Sequence, residues 1–111
     1  WHKEHGDKLP DLYITENGVA YSDGPDSEGR IRDLRRIDYL RTHLKAVSKA
    51  IEQGSPVKGY YQWSLLDNFE WALGYEKRFG IIYVDFDTQE RIIKDSGYWY
   101  RDQIINNGKN I

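Results

Sequence analysis

"DLYITENG" (residues 11–18) runs a short apolar strand straight into a carboxylate. Leu12, Tyr13, Ile14 and Thr15 read as buried sheet. Glu16 stands at the strand's tip, with Asn17 as a neighbouring amide and Gly18 to let the chain turn sharply. A second run, "VKGYYQW" (57–63), reads as another strand, and an irregular "SLLDNFEWALGYEKRFG" follows it. Between the two lies the clearest helix, residues 31–53. Leu34, Ile37, Leu40, Leu44, Val47 and Ile51 recur there at intervals of three or four, and Gly54 ends it. A strand–helix–strand unit of this length makes two parallel neighbours joined by a right-handed crossover.

Around that unit the chain is simpler. "WHKEHGD" (1–7) reads as the tail of a helix with Gly6 as terminator. "IIYVDFDTQERIIK" (81–94) alternates about a turn at Asp87-Thr88, as a small hairpin does. "DSGYWYRDQIINNG" (95–108) reads as a helix capped at Asp95 or Ser96 and stopped by Gly108. Two parallel strands do not make a whole sheet, because parallel sheets are covered on both faces and their open edges are costly. A small α/β domain stays open on these grounds, but a slice of a larger α/β fold fits the element order better.

Composition bounds the function. The chain has 111 residues, 39% hydrophobic and 31% charged, which is a soluble globular balance and the size of one domain. The net charge of −2, with both signs interspersed, points to neither nucleic acid nor an anionic membrane surface. No apolar run approaches the roughly 20 residues that a bilayer requires. Cysteine is absent, which excludes a disulfide framework and cysteine-based zinc sites and suits a reducing cytoplasm. The first residues, Trp1-His2-Lys3, carry neither Met nor a signal-type apolar region, so the expectation is that the chain begins in mid-protein. Aromatic residues reach 14%, with nine Tyr and four Trp placed mostly after residue 59. Large rings with polar tips serve cores and sugar sites alike.

The minor motifs carry little chemistry. "HKEH" (2–5) matches neither arrangement of the helical zinc motifs, and His2 and His5 suit a solvated helix face. "DGPDSEG" (23–29) lacks calcium-loop spacing and reads as a flexible acidic loop. "RDLRR" (32–36) is flanked by acids and reads as a salt-bridged face, and His43 as a helix-surface residue.

The chemistry gathers at the two strand tips. In α/β barrels and open sheets, active residues project from the carboxyl ends of parallel strands. One end here carries Glu16; the other carries Gln62, Trp63 and Ser64, followed by Asp67, Asn68, Glu70 and Trp71. Carboxylates accept bonds from vicinal hydroxyls, and an indole stacks on the apolar face of a pyranose. The residues alone leave open whether Glu16 is a surface acid that begins a loop, and whether "FEW" is core aromatics around a snorkelling acid.

"YITENG", "YYQWSLLDNFEWALGYEKRFGIIYVDF" and "KDSGYWY", in that order and with the "RRIDYLRTHL" helix between the first two, resemble the C-terminal part of family 1 glycoside hydrolases, the β-glucosidases and their relatives. The similarity runs from about Leu9 to Tyr100. It implies a (β/α)8 TIM barrel to which this chain supplies the seventh and eighth strands with their helices, as the C-terminal quarter. On that basis residues 1–111 are a partial barrel domain that is not complete by itself. The resemblance assigns Glu16 as the catalytic nucleophile, Trp63 to the glycone subsite, and Glu70 and Trp71 to hydroxyls of the nonreducing sugar. Phe79, of the "RFG" element, lies near the same subsite. Retention of Glu70-Trp71 favours an unphosphorylated hexoside, and neither metal nor cofactor is implied.

A retaining glycosidase needs two carboxyl groups about 5–5.5 Å apart. The family's second one, the acid/base, belongs to an Asn-Glu-Pro motif on an earlier strand, and no Asn-Glu-Pro occurs in this sequence. The expectation is therefore a β-glycosidase piece that acts on β-glycosides only together with a complementary N-terminal barrel part. The alternative, from a different class, is a noncatalytic carbohydrate-binding module that uses Trp63, Trp71 and nearby tyrosines as a platform.

Overall fold

The computed structural model describes residues 2–109 and 111. Helix α1 (His2–His5) leads into a tight turn at Gly6–Lys8, with Gly6 in the left-handed region as the expected terminator. Trp1, also part of the expected helix, lies outside the described residues. Strand β1 (Leu12–Asn17) pairs in parallel with β2 (Val57–Gln62), and α2 (Leu34–Glu52) connects them, as the hydrophobic spacing predicts. Strands β3 (Ile82–Val84) and β4 (Arg91–Ile93) form the antiparallel hairpin, and α3 (Asp95–Asn106) closes the described fold. At the hairpin turn the Asp85 carboxylate accepts the N–H groups of Asp87 and Thr88. The Thr88 N–H, with that of Asp87 behind it, holds the Asp85 carboxyl below the usual carboxylate range.

The β1 strand is not the uniformly buried stave its composition suggests. Leu12 and Ile14 are half-buried toward α2, whereas Tyr13, at 56% exposure, and Thr15 stand open on the other face. Parallel strands are made to be covered on both sides, and the described residues cover one. The stripe on α2 is likewise used in part: Ile37 and Leu40 are buried, while Leu34 and Ile51 are exposed. Ile31 precedes the helix and is buried where its carbonyl accepts the Asp95 N–H at 2.9 Å.

Much of the interior is ionic. Arg36, read from sequence as part of a solvated basic face, is fully buried. It falls one turn before Leu40 on the apolar stripe, so its guanidinium is carried inward. There it pairs with Asp33 and, at 2.6 Å, with Asp23, and donates to the Arg78 carbonyl at 2.7 Å. Lys94, also fully buried, bridges Asp23 at 2.7 Å and Asp67 at 2.9 Å, and Arg78 reaches Asp67 from the other side at 2.9 Å. Three carboxylates thus meet three cations, which keeps the cluster neutral where an unpaired charge would cost several kcal/mol (about 3–5). The acidic loop at 23–29 is fastened rather than free. Asp23 joins the cluster, and Asp26 accepts the N–H groups of Glu28 and Arg30 and pairs with Arg32.

The cap of α3 also differs from expectation. Lys94 is the cap residue and makes no side-chain capping bond, while Asp95 pairs with Arg30. The orphan Ser96 N–H donates instead to Asp33, at 2.8 Å from across the fold. A helix end needs acceptors for its free N–H groups, and here a distant carboxylate supplies one. At the other end Asn107 and Gly108 take left-handed backbone and stop the helix as expected.

Candidate active site

The two strand tips converge because two backbone strips run side by side. Ser64 donates its N–H to the Phe79 carbonyl at 3.0 Å, and Ile81 donates to Ser64 at 3.0 Å. Asp67 and Ile82 continue the pairing, so residues 64–67 and 79–82 extend β2 and bring Phe79 beside Trp63. The Trp63 N–H donates to the Asn17 carbonyl at 2.9 Å and locks the tip of β2 to the tip of β1. Glu16, Asn17, Gly18, Trp63 and Phe79 then line one open cleft of about 270 Å³. A larger hollow of about 530 Å³ lies away from both tips, around Tyr21, Asp23, Arg35 and Lys77, and holds none of the expected site residues.

Glu16 reaches this cleft through an irregularity that is invisible in the hydrophobic pattern. Ile14 is opposite Tyr60 and Asn17 opposite Gln62, so β1 carries one residue more than β2 between those pairs. The extra residue is a β-bulge at Thr15-Glu16. Thr15 and Glu16 are consequently both exposed, Glu16 in the cleft, while the Asn17 side chain turns back toward α2. Gly18 has a role other than the sharp turn read from sequence: its φ is not positive, and what it supplies is space. A Cβ there would lie 1.8 Å from the Trp63 carbonyl oxygen.

The expected sugar-binding residues divide into two groups. Trp63, partly exposed, donates its indole N–H to Glu70 Oε1 at 3.2 Å, which links ring and carboxylate into one unit at the edge of the cleft. Trp71 follows in a tight turn (Trp71–Leu73) with positive φ and is 85% exposed, outside the cleft lining. Asp67, counted among the acids at the strand tip, is withdrawn altogether. It is buried with Lys94 and Arg78 and accepts the Gly80 N–H at 3.0 Å. Asp67 thereby fixes the chain on either side of Phe79, through Arg78 and Gly80, rather than facing a ligand.

Two tyrosines escaped the sequence reading. Tyr60 on β2 donates its hydroxyl to Asn17 Oδ1 at 2.6 Å, and Asn17 Nδ2 donates to the Tyr39 hydroxyl of α2 at 3.2 Å. Burial pushes the Tyr60 phenol well above its ordinary range, with Tyr100 and Tyr39 adding to the effect. A phenol so placed stays a donor. The available signal was Tyr39, which shares its helix face with His43 one turn later and stacks on it at 3.8 Å between centroids. Among the described residues no cluster of His, Cys, Asp and Glu could hold a metal ion.

Comparison with known proteins places this geometry. The sequence model described as Glycosyl hydrolase family 1 matches residues 2–109. Beta-glucosidase A of Thermotoga maritima is 61% identical over 99 residues, a match that covers 89% of this chain and 22% of the relative. A 6-phospho-beta-galactosidase of Staphylococcus haemolyticus is 54% identical over 92 residues, covering 82% of this chain and 20% of the relative. A solved structure of a family 1 β-glucosidase from Thermotoga maritima superposes with a TM-score of 0.93 at 56% identity, covering 99% of this chain and 25% of that one. The chain thus spans between a fifth and a quarter of the length of these relatives. The parallel pair β1–β2, with α2 and α3, is the C-terminal quarter of a (β/α)8 barrel, strands seven and eight with their helices.

Proposed function

The chain belongs to glycosyl hydrolase family 1, and from that premise we propose that it is the nucleophile- and sugar-binding piece of a retaining β-glycosidase. It acts on unphosphorylated β-D-glycosides, of the kind its β-glucosidase relatives are named for, through a covalent glycosyl-enzyme intermediate. Residues 1–111 form a partial domain, and the remaining strands of the barrel, with the acid/base carboxyl, come from a complementary N-terminal part. The observation that carries this reading is the bulge that turns Glu16 away from α2 and into a cleft walled by Trp63 and Phe79.

The chemistry follows from the placement. Glu16 attacks the anomeric carbon from the strand tip, and the bond to the departing oxygen breaks as the acid/base of the complement protonates that oxygen. Water then attacks the same carbon, the acid/base takes a proton from it, and Glu16 leaves as carboxylate. Trp63 stacks against the sugar's apolar face. Glu70, steadied by the indole N–H of Trp63, accepts bonds from sugar hydroxyls through its remaining lone pairs. Trp71, next to Glu70 and exposed, is the further residue offered to hydroxyls of the nonreducing sugar. Hydroxyl bonds that tighten in the oxocarbenium-like state raise the rate rather than only the affinity.

The test is Glu16→Gln in the complete barrel that carries this segment. Hydrolysis of an aryl β-glucoside falls by several orders of magnitude, while glucose binding persists. Unchanged hydrolysis would contradict the proposal.

A further inference from the structure

We propose that Asn17, clamped between Tyr60 and Tyr39, is a positioning residue that sets the aim of Glu16; the proposal rests on the reading of Glu16 as nucleophile. Side chains alternate along a strand, so a one-residue slip sends every side chain to the opposite face. Leu12 and Ile14 face α2, and without the bulge Glu16 would join them there. Ile14, Asn17, Val57 and Tyr60 instead line an apolar groove against His43, Ala46, Val47 and Ala50 of α2. A carboxylate in that groove would meet aliphatic wall, which is costly for an ion.

Asn17 selects the register that avoids this. In the bulged register its amide takes the place that Glu16 would otherwise approach, and both amide atoms are used there. Oδ1 accepts from Tyr60 at 2.6 Å, and Nδ2 donates to Tyr39 at 3.2 Å. Its carbonyl accepts from Trp63 at 2.9 Å, so the residue next to Glu16 is tied to β2, α2 and the second strand tip at once. Tyr39 is itself fixed, stacked on His43, whose Nδ1 lies 2.7 Å from the Tyr39 carbonyl. The burial that favours the neutral phenol of Tyr60 keeps this donor in place over the working pH range.

The test uses the complete barrel and an activated 2-deoxy-2-fluoro aryl glucoside. The readouts are the saturating first-order rate at which Glu16 is glycosylated, counted per labelled molecule, and the affinity for glucose. Tyr60→Phe keeps the ring and removes the bond; it slows glycosylation by about 10-fold, and Asn17→Ala by about 100-fold, the scale of a misplacement near 1 Å. Tyr39→Phe, which loses the longer bond, slows it least. Glucose affinity stays within about twofold, the signature of an interaction lost in the transition state only. Tyr60→Phe added to Asn17→Ala slows it no further, because the hydroxyl acts through the amide.

A merely structural role would lower melting temperature and the labelled fraction but leave the rate per labelled molecule unchanged. That outcome overturns the positioning role while the nucleophile reading stands. Absence of any adduct on Glu16 in the unsubstituted protein overturns both.

Discussion

Gly18 lies so close to Trp63 that the strand tips meet with no room for a side chain: a Cβ on residue 18 would sit 1.8 Å from the Trp63 carbonyl oxygen. That oxygen also accepts the Gln62 side-chain amide at 2.6 Å. Backbone is the obstacle, so neither rotamer change nor a flexible side chain relieves it. Gly18→Ala is expected to push the two tips apart, destabilise the fold by about 1–3 kcal/mol and lower kcat/KM by more than the loss of folded protein explains. Thermal melts and kinetics on the same preparation check both.

The neutral ion cluster makes a separate prediction about stability. Asp67 holds Lys94 at the start of α3, together with Arg78 and the Gly80 N–H on either side of Phe79. Asp67→Ala leaves Lys94 buried with Asp23 as its remaining partner and is expected to cost about 3–5 kcal/mol. Because these pairs are buried, denaturation in high salt is expected to shift the variant and the parent alike, unlike a surface pair. Denaturant titration measures the first, and the same titration across ionic strength the second.

Glu70 and Trp63 act as one unit through the indole N–H, which predicts a specificity effect. A carboxylate at the rim repels a sugar phosphate, so an aryl β-glucoside is expected to be hydrolysed in preference to its 6-phosphate. The presence of a 6-phospho-beta-galactosidase among the relatives makes that comparison informative. Trp63→Phe is expected to raise KM by about 10-fold or more, since it removes a bond to a charged acceptor (about 1.5–3 kcal/mol). Steady-state kinetics on the substrate pair decides it.

Alkaline behaviour follows from two phenols. Burial raises both Tyr60 and Tyr100, with the neighbouring phenols adding to the Tyr60 shift. A group whose ionisation is raised in the folded state stabilises fully below its unfolded value, near 10 for tyrosine, and loses that contribution as pH climbs through the folded value. Stability is therefore expected to hold to about pH 10 and fall above it, and Tyr60→Phe to make that fall shallower. Absorbance titration of tyrosinate, together with melts from pH 8 upward, reads the effect.

Much of this architecture is legible in the residues. Spacing of three and four marks α2, Asp87-Thr88 marks the hairpin, and Gly108 marks the end of α3. Glu16, Trp63 and Phe79 are drawn to one cleft, as the two motif blocks suggest. What escapes is whatever depends on partners distant in sequence. Arg36 reads as surface because a cation usually is, and only its meeting with Asp23 and Asp33 makes burial possible. The bulge escapes because "LYITEN" alternates no differently with it or without it, and the choice is made by Tyr39 and Tyr60. Tyr13 reads as buried because it sits in an apolar run, yet among the described residues nothing covers its face of β1.

The central claim is that Glu16 forms the covalent bond to sugar. Incubating the complete barrel with a 2-deoxy-2-fluoro aryl β-glucoside, digesting it and sequencing the modified peptide by mass spectrometry tests that claim most directly. The account predicts a single fluoroglucosyl adduct on the Glu16 carboxylate in the peptide containing "YITENG", released slowly as activity returns. An active barrel that carries its adduct on another carboxylate, or carries none, would contradict it.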